Sequence, residues 1–328
     1  MVSSILRLWR WINRCCFDRV VDINAAWKSV VARKRKPMVP MKYPVGIEYS
    51  YRRQLFWMND QLRKSLKRHI NPIVPKMTAE ASDIHALPTG VVRQDAGWQD
   101  DLYDAFQKIA QDMVGPKKTT AKRMTRYAPQ INQHNQNEWK KLIRSQYGVN
   151  PTREDPATYI PLMRDWAKDN VLLINDIPNK AISQIQELVV DTLLSGKTQD
   201  DMTSDIQDIL SDRMDVTDSR AKLIARDQTA KLNGRFTQER QTDAGIDSYV
   251  WRTVGDERVR ETHAEVDGET FQWASAPEET DGNHPGEDYQ CRCFAEPVLP
   301  EQMDVSADLL EEDAGDETVD MEAELESA

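Results

Sequence analysis

The residues of this chain best suited to chemistry are two histidines and two cysteines within residues 249–297. This short region holds two of the five histidines and two of the four cysteines, namely His263, His284, Cys291 and Cys293. Zinc prefers four nitrogen and sulfur ligands in a tetrahedron, and a Cys-x-Cys pair in a strand would present both thiolates on one side. The four residues therefore predict a zinc site of the His2Cys2 type, although the cysteines are closer together than in a standard zinc finger.

Two other interpretations fit the same residues. The histidines and cysteines could form a buried, hydrogen-bonded cluster without metal. Alternatively, His263 and Asp267 would lie on one face of a helix, four residues apart, and could act as a catalytic pair. The chain contains no P-loop, no dinucleotide-binding glycine pattern and no His-Glu-x-x-His motif. We therefore expect a protein that is not an enzyme, with a nuclease or toxin-like enzyme that uses the His/Asp cluster as the alternative.

Short strands and one helix are predicted to position these residues. Aromatic and β-branched residues favour strands at Ser248–Thr253, Glu269–Trp273 and Tyr289–Phe294. A helix is predicted from Glu257 to Val266, before Asp267-Gly268. Residues 274–286 are rich in proline and glycine, and they predict an irregular loop that contains His284. Residues 246–300 thus form a small α+β module.

The motifs of this module resemble a known family. Trp251-x-Thr253-x-x-Asp256-x-Arg258-Val259-Arg260-x-x-His263 is followed by Asp267-Gly268-x-x-Phe271, His284-Pro285-Gly286 and Cys291-Arg292-Cys293. This order resembles the phage head morphogenesis family typified by the F protein of phage Mu. The likeness extends over about residues 139–297 and departs from the family at Asp227-Gln228, where a Thr-Glu pair is expected.

The resemblance implies a structural role in a tailed phage. It implies a minor head protein that is present in a few copies and associates with the portal and the assembling procapsid. The expected partners are the portal protein and a major capsid or scaffolding protein. The expected location is the interior of the virion head near the portal, after assembly in the host cytoplasm.

Residues 98–245 are predicted to form a helical body. Apolar residues recur there at three- and four-residue spacing, as in helices that bury one face. Thr198 and Asp201 have the spacing of a capping box and open one helix, whereas Thr217 or Ser219 is predicted to cap a last helix from Ala221 to about Asp243. Pro178 is predicted to begin a helix or to bend one. The fold class is therefore α+β, with a mostly helical N-terminal and central region before the small module.

The two ends of the chain carry opposite charge. Residues 1–76 hold 17 Lys and Arg against four acids, whereas residues 301–328 hold twelve acids and no base. Residues 1–71 are predicted to be a basic helical arm, in which an amphipathic helix spans residues 1–36. Residues 72–97 are predicted to be a linker, and residues 301–328 a mostly disordered tail.

The basic residues also suggest contact with DNA. A basic segment from Gly115 to Arg126, predicted to begin as a loop, contains Lys117, Lys118, Lys122 and Arg123. These side chains could be solvated, or they could contact phosphates or the portal. The adjacent Cys15-Cys16 and the Cys291/Cys293 pair do not resemble the disulfide framework of a secreted protein. The sequence contains no apolar run of the roughly 20 residues that span a membrane and no signal-peptide pattern at residue 1.

Overall fold

The computed structural model describes residues 38–85, 97–148, 151 and 156–299. Within these residues, seven helices of more than ten residues precede a small sheet. They are α1 (Val45–His69), α2 (Val74–His85), α3 (Gly97–Asp112), α4 (Val114–Met124), α5 (Tyr127–Tyr147), α6 (Pro156–Leu193) and α7 (Gln199–Asp243). The sheet region contains β1 (Ser248–Arg252), α8 (Glu261–Glu265), β2 (Thr270–Gln272), a 3-10 turn (Glu278–Thr280) and β3 (Phe294–Pro297). The predicted α+β class with a helical majority is confirmed.

Helix α7 is the central element of the body. It packs against α1, α2, α5 and α6, and it also contacts β3. Its apolar face is fully buried at Met202, Ile206, Ala221, Ala225 and Phe236. A buried face of this kind stabilises a long helix more than intrinsic helix propensity does, so the body depends on α7.

The start of α7 is predicted correctly, but its length is not. The Thr198 side chain accepts a hydrogen bond from the Asp201 backbone N–H at 3.3 Å, as the capping-box spacing predicts. The helix then runs unbroken for 45 residues. The predicted cap at Thr217 or Ser219 is wrong, because the Thr217 hydroxyl donates to the Arg213 carbonyl at 2.6 Å within the helix. Residues 199–233 contain no proline or glycine to end it.

Proline also fails to interrupt α6. The helix includes Pro161 and Pro178 and continues to Leu193. Of the two predictions for Pro178, the start of a new helix is wrong, and a bend in the helix stays a prediction. Ile174, Ile177 and Ala181 around this proline are buried. Tertiary packing on both sides therefore holds the helix through a residue that lacks a backbone donor.

The predicted linker contains a helix. Residues 74–85 form α2, whose Val74, Met77 and Ala81 are buried in the main core. The prediction of irregular structure there is wrong, because Pro75 occupies the first helical turn, where a missing N–H costs little. The same reason explains α4, which begins at Val114 and carries Pro116 in its first turn, where a loop is predicted.

The predicted N-terminal arm is only partly described. Helix α1, within that arm, lies in the same core as the body through Leu55, Met58 and Leu62. The amphipathic helix predicted for residues 1–36 and the tail predicted for residues 301–328 lie outside the described residues. No described helix is both long enough and apolar enough to cross a membrane.

The sheet has β1 at its centre with antiparallel partners on both sides. Tyr249 of β1 pairs with Phe271 of β2, and Trp251 of β1 pairs with Ala295 of β3. The third strand is Phe294–Pro297 and not Tyr289–Phe294 as predicted. The chain turns before it, with Gln290 at a left-handed φ of 55°, so Cys291 and Cys293 lie in the segment that leads into β3.

A proline exchange tests the continuity of α7. Ser219 is exposed in the middle of the helix, so Ser219→Pro should lower the free energy of unfolding by about 3 kcal/mol or more, through a lost hydrogen bond and a ring clash. Gln199→Pro is the matched control, because Gln199 is the first helical residue and the preceding Thr198 is extended. It should change stability by less than about 1 kcal/mol. Denaturant titration followed by circular dichroism measures both, and equal effects would contradict a single helix.

Candidate metal centre

Three of the four predicted ligands meet in one buried cluster. The Nδ1 atom of His263 lies 3.6 Å from the sulfur of Cys291 and 3.5 Å from the sulfur of Cys293. The ligand atoms of these three residues all lie within 4.8 Å of one another. All three residues are buried, with exposed fractions of 3% for His263, 3% for Cys291 and 9% for Cys293. We refer to them as the His-Cys-Cys cluster.

The sheet and α8 position the histidine. His263 lies on α8, and its ring meets the indole of Trp251 of β1 edge to face at 5.3 Å. Its Nε2 atom lies 3.4 Å from a carboxylate oxygen of Asp288, which Arg260 holds by an ion pair of 2.6 Å. With a cation bound at Nδ1, a carboxylate behind the far ring nitrogen would hold the ring proton on Nε2, as in many metal-bound histidines.

Backbone amides position the first cysteine. The N–H groups of Gly286 and Cys293 both donate to the sulfur of Cys291 at 3.4 Å. Such amides stabilise negative charge on sulfur. The hydrogen bond with the Cys293 thiol, together with those from His263 and the two amides, lowers the pKa of Cys291 to about 5. The same thiol contact and burial raise the pKa of Cys293.

The lowered pKa of Cys291 and the raised pKa of Cys293 favour a single negative charge on the two cysteines when no metal is bound. One thiolate and one thiol share a proton, because two adjacent negative sulfurs would repel each other. A bound cation would replace that proton and stabilise the second thiolate, since metals bind deprotonated sulfur. The cluster is therefore suited to a soft divalent cation.

His284, the fourth predicted ligand, does not join the cluster. Its Nδ1 atom lies 2.9 Å from the hydroxyl of Tyr249, and its ring packs against Trp273 at 5.0 Å. The backbone N–H of His284 donates to Glu287 at 2.7 Å. Burial lowers the pKa of His284, so the ring is neutral at neutral pH. The predicted loop does fold back onto the sheet through His284, but onto Tyr249 and Trp273 and not onto the His-Cys-Cys cluster.

His263 is not paired with Asp267 in the structure. Helix α8 ends at Glu265, and the Asp267 carboxylate instead accepts a hydrogen bond from the Thr253 N–H at 2.9 Å. The acid beside His263 is Asp288, which lies 25 residues further along the chain and could not be identified from helical spacing. The predicted catalytic pair is therefore not brought together.

Sequence reasoning also missed the residues of α7 that hold the module. Asp227 is buried and accepts a hydrogen bond from the Gln290 N–H at 2.9 Å, next to Cys291. Gln241 is fully buried, donates to the Ala295 carbonyl at 3.1 Å and accepts from the Trp273 indole at 3.0 Å. The departure from the expected Thr-Glu pair is a signal that could have drawn attention to Asp227. We find no comparable signal for Gln241.

A salt bridge closes the outer side of the cysteine segment. The guanidinium of Arg292, between the two cysteines, forms a bidentate ion pair with Asp256. This contact holds the pKa of the Asp256 carboxyl far below its usual range. On the inner side, a cavity of about 320 Å³ separates the cysteine segment from α5, α7 and residues 38–43. Most of the residues that line it are apolar.

The comparisons with known proteins coincide with this region. Residues 183–296 match the family of Phage Mu protein F like proteins. The resemblance drawn from the motifs is thereby confirmed over that segment, and a role in phage head morphogenesis is supported. An uncharacterized protein of Haemophilus influenzae is 42% identical over 130 residues, which is 40% of this chain and 28% of that relative. No solved structure gives a significant match.

The contact between His284 and Tyr249 can be measured by a double-mutant cycle. Tyr249 is fully buried, so His284→Ala leaves its hydroxyl without a partner and should cost about 1–3 kcal/mol of unfolding free energy. Tyr249→Phe removes the other half of the contact. If the hydrogen bond is real, the double variant should be less destabilised than the sum of the single variants, and urea titration would show it. Additive losses would mean that the two groups do not interact.

Proposed function

We propose that this protein is a minor head protein of a tailed phage that associates with the portal and the procapsid interior during head assembly and DNA packaging. The observation that carries the proposal is the match of residues 183–296 to the Phage Mu protein F like family. Since the chain covers only 28% of the Haemophilus relative, the partners and location of the whole protein are part of the proposal.

The burial of the candidate site favours a structural role over the nuclease or toxin-like alternative. An enzyme that acts on nucleic acid needs its reactive groups in an open cleft lined by basic side chains. Here the His-Cys-Cys cluster is at least 91% buried, and Arg292 beside it is neutralised by Asp256. The side chains instead have partners within the module, as expected for groups that hold a fold together.

An aromatic and basic surface on α1 supports contact with a partner. Tyr49, Phe56 and Trp57 are 51%, 37% and 37% exposed. The Arg52 guanidinium lies over the rings of Tyr49 and Phe56, and Arg123 of α4 lies over Trp57 at 5.7 Å. Large aromatic residues and arginine supply most of the binding energy at protein interfaces.

Residues 1–36 are proposed to make the main contact with the portal. Their apolar stripe includes Trp9 and Trp27, which are suited to anchor an interface. Deletion of residues 1–36, or the double variant Trp9→Ala/Trp27→Ala, should reduce copurification with the portal protein of the same phage and incorporation into procapsids at least about tenfold, the effect of losing about 1.4 kcal/mol. Tyr103→Ala, which removes an exposed aromatic side chain of α3, is the control. Unchanged incorporation of both variants would contradict the assignment.

DNA contact is proposed for the basic face formed by α1 and α4. Arg53, Lys118, Lys122 and Arg123 are exposed there, and Trp57 adds an aromatic surface. Binding should be weak, independent of sequence and steeply dependent on salt, because it arises from counterion release. The double variant Lys118→Ala/Lys122→Ala should lower the slope of log K against log salt by about 1 to 2.

The DNA prediction has a charge-matched control. Lys180→Ala/Lys197→Ala removes the same charge from residues that are paired with Asp176 and Asp205, and it should leave the slope nearly unchanged. Fluorescence anisotropy with a duplex of random sequence measures both variants. Binding that resists high salt, or an equal loss in the control, would contradict this basic face.

A further inference from the structure

The His-Cys-Cys cluster brings three possible metal-ligand atoms together around one point. Both sulfurs lie 3.5–3.6 Å from the same Nδ1 atom. A ring nitrogen has a single in-plane position, at which it accepts or donates one hydrogen bond, so only one of the two sulfurs can be its hydrogen-bond partner. A cation at the centre of the three atoms would satisfy all of them at once.

We propose that His263, Cys291 and Cys293 bind one structural Zn²⁺ ion through Nδ1 and two thiolates. Zinc lies about 2.3 Å from sulfur and about 2.0–2.1 Å from nitrogen, so a tetrahedral site has a sulfur–nitrogen edge of about 3.6 Å. The two distances in the structure agree with this edge. His284 is excluded from the ligand set, because its Nδ1 is engaged by Tyr249.

The surroundings are those of a metal–thiolate site. Asp288 lies behind the Nε2 atom of His263, and two backbone amides donate to Cys291. The indole Nε1 of Trp251, whose ring packs against His263, is buried without a hydrogen-bond partner among the described residues.

Such a site would add to the stability of the module. Its separate core contains seven buried residues, including the two cysteines, and cores of this size usually require a metal or disulfides. Zinc would tie α8 to the segment that leads into β3 and, through the Gly286 amide, to the loop before it. No fourth His, Cys, Asp or Glu of the described residues joins the group, so water or another donor would complete the tetrahedron.

Metal content of the purified full-length chain tests the proposal. Wild type, expressed with zinc in the medium, should carry about one Zn per chain, whereas Cys291→Ser, Cys293→Ser and His263→Ala should each lose most of it. Two controls should keep the metal: His284→Gln, which alters the predicted ligand that the structure excludes, and Cys15→Ser/Cys16→Ser, which removes the other two cysteines. Zinc that persists in the ligand variants, or that is lost in His284→Gln while that variant remains folded, would overturn the ligand set.

Wild-type protein provides a test that does not depend on whether the variants fold. Removal of zinc by a chelator should lower the unfolding temperature, and Zn²⁺ but not Mg²⁺ should restore it, because binding energy at a structural site is folding energy. Replacement by Co²⁺ should give the intense visible and near-ultraviolet absorption of tetrahedral cobalt thiolate. Metal-free protein with unchanged stability would overturn the proposal, as would a Cys291–Cys293 disulfide detected by mass in freshly purified protein. The outcome does not depend on the proposed role in head assembly.

Discussion

The close contact between the backbone of α7 and the loop before β3 determines the geometry of the module. A Cβ atom on Gly234 would lie 3.0 Å from the Pro285 carbonyl oxygen, and a Cβ atom on Gly286 would lie 3.3 Å from the Ala230 carbonyl oxygen. Gly286 also has a φ of 93°, a backbone conformation that residues with a side chain rarely adopt. The Gly286 N–H donates to the sulfur of Cys291. The contact with α7 therefore positions this amide, and the amide in turn positions Cys291.

Two further residues of α7 extend this contact along the helix. Asp227, Gly234 and Gln241 are seven residues apart, which places them on one stripe with a drift of only about 20° per step. Asp227 accepts a hydrogen bond from the Gln290 N–H, and Gly234 lets the loop approach because it has no side chain. Gln241 donates to the Ala295 carbonyl and accepts from the Trp273 indole. Each buried polar group has a partner on the other side, as burial requires. The module is thus attached to the body at three levels of one helix.

The limits of prediction from the sequence follow from the same contacts. Local patterns predicted β1, β2 and the start of α7 at Thr198, because period and spacing reflect local geometry. The meeting of His263 with two cysteines was predicted from the ligand chemistry of these residue types. Local patterns misjudged Thr217, which lies within α7 and not at the start of a helix, and Pro75, which lies in the first turn of α2. They also misassigned His284 and Asp267. Whether Asp267 or Asp288 contacts His263, and whether His284 does, depends on how the chain after residue 273 folds back. Contacts with α7 and the sheet determine that fold, and these elements are far away in the sequence.

A chain of buried and partly buried hydrogen bonds connects α1 to Asp227 and Gln228. The Tyr51 hydroxyl of α1 donates to Asn170 of α6, whose amide donates to the side-chain oxygen of Gln228, Oε1, at 3.1 Å. The amide of Gln228 then donates to one carboxylate oxygen of Asp227 at 3.1 Å, and the other oxygen accepts from the Gln290 N–H.

Two carboxylate oxygens are needed at position 227 for this arrangement. One accepts from Gln228 and from the Lys231 ammonium at 3.0 Å, and the other receives the backbone of the module. A threonine has a single side-chain oxygen with two lone pairs, so it could not accept all three hydrogen bonds. A glutamate at position 228 could not donate to its neighbour, whereas the glutamine amide accepts from Asn170 and donates to Asp227. Asp227 and Gln228 therefore depend on each other, and together they link α1 to the residue that precedes Cys291.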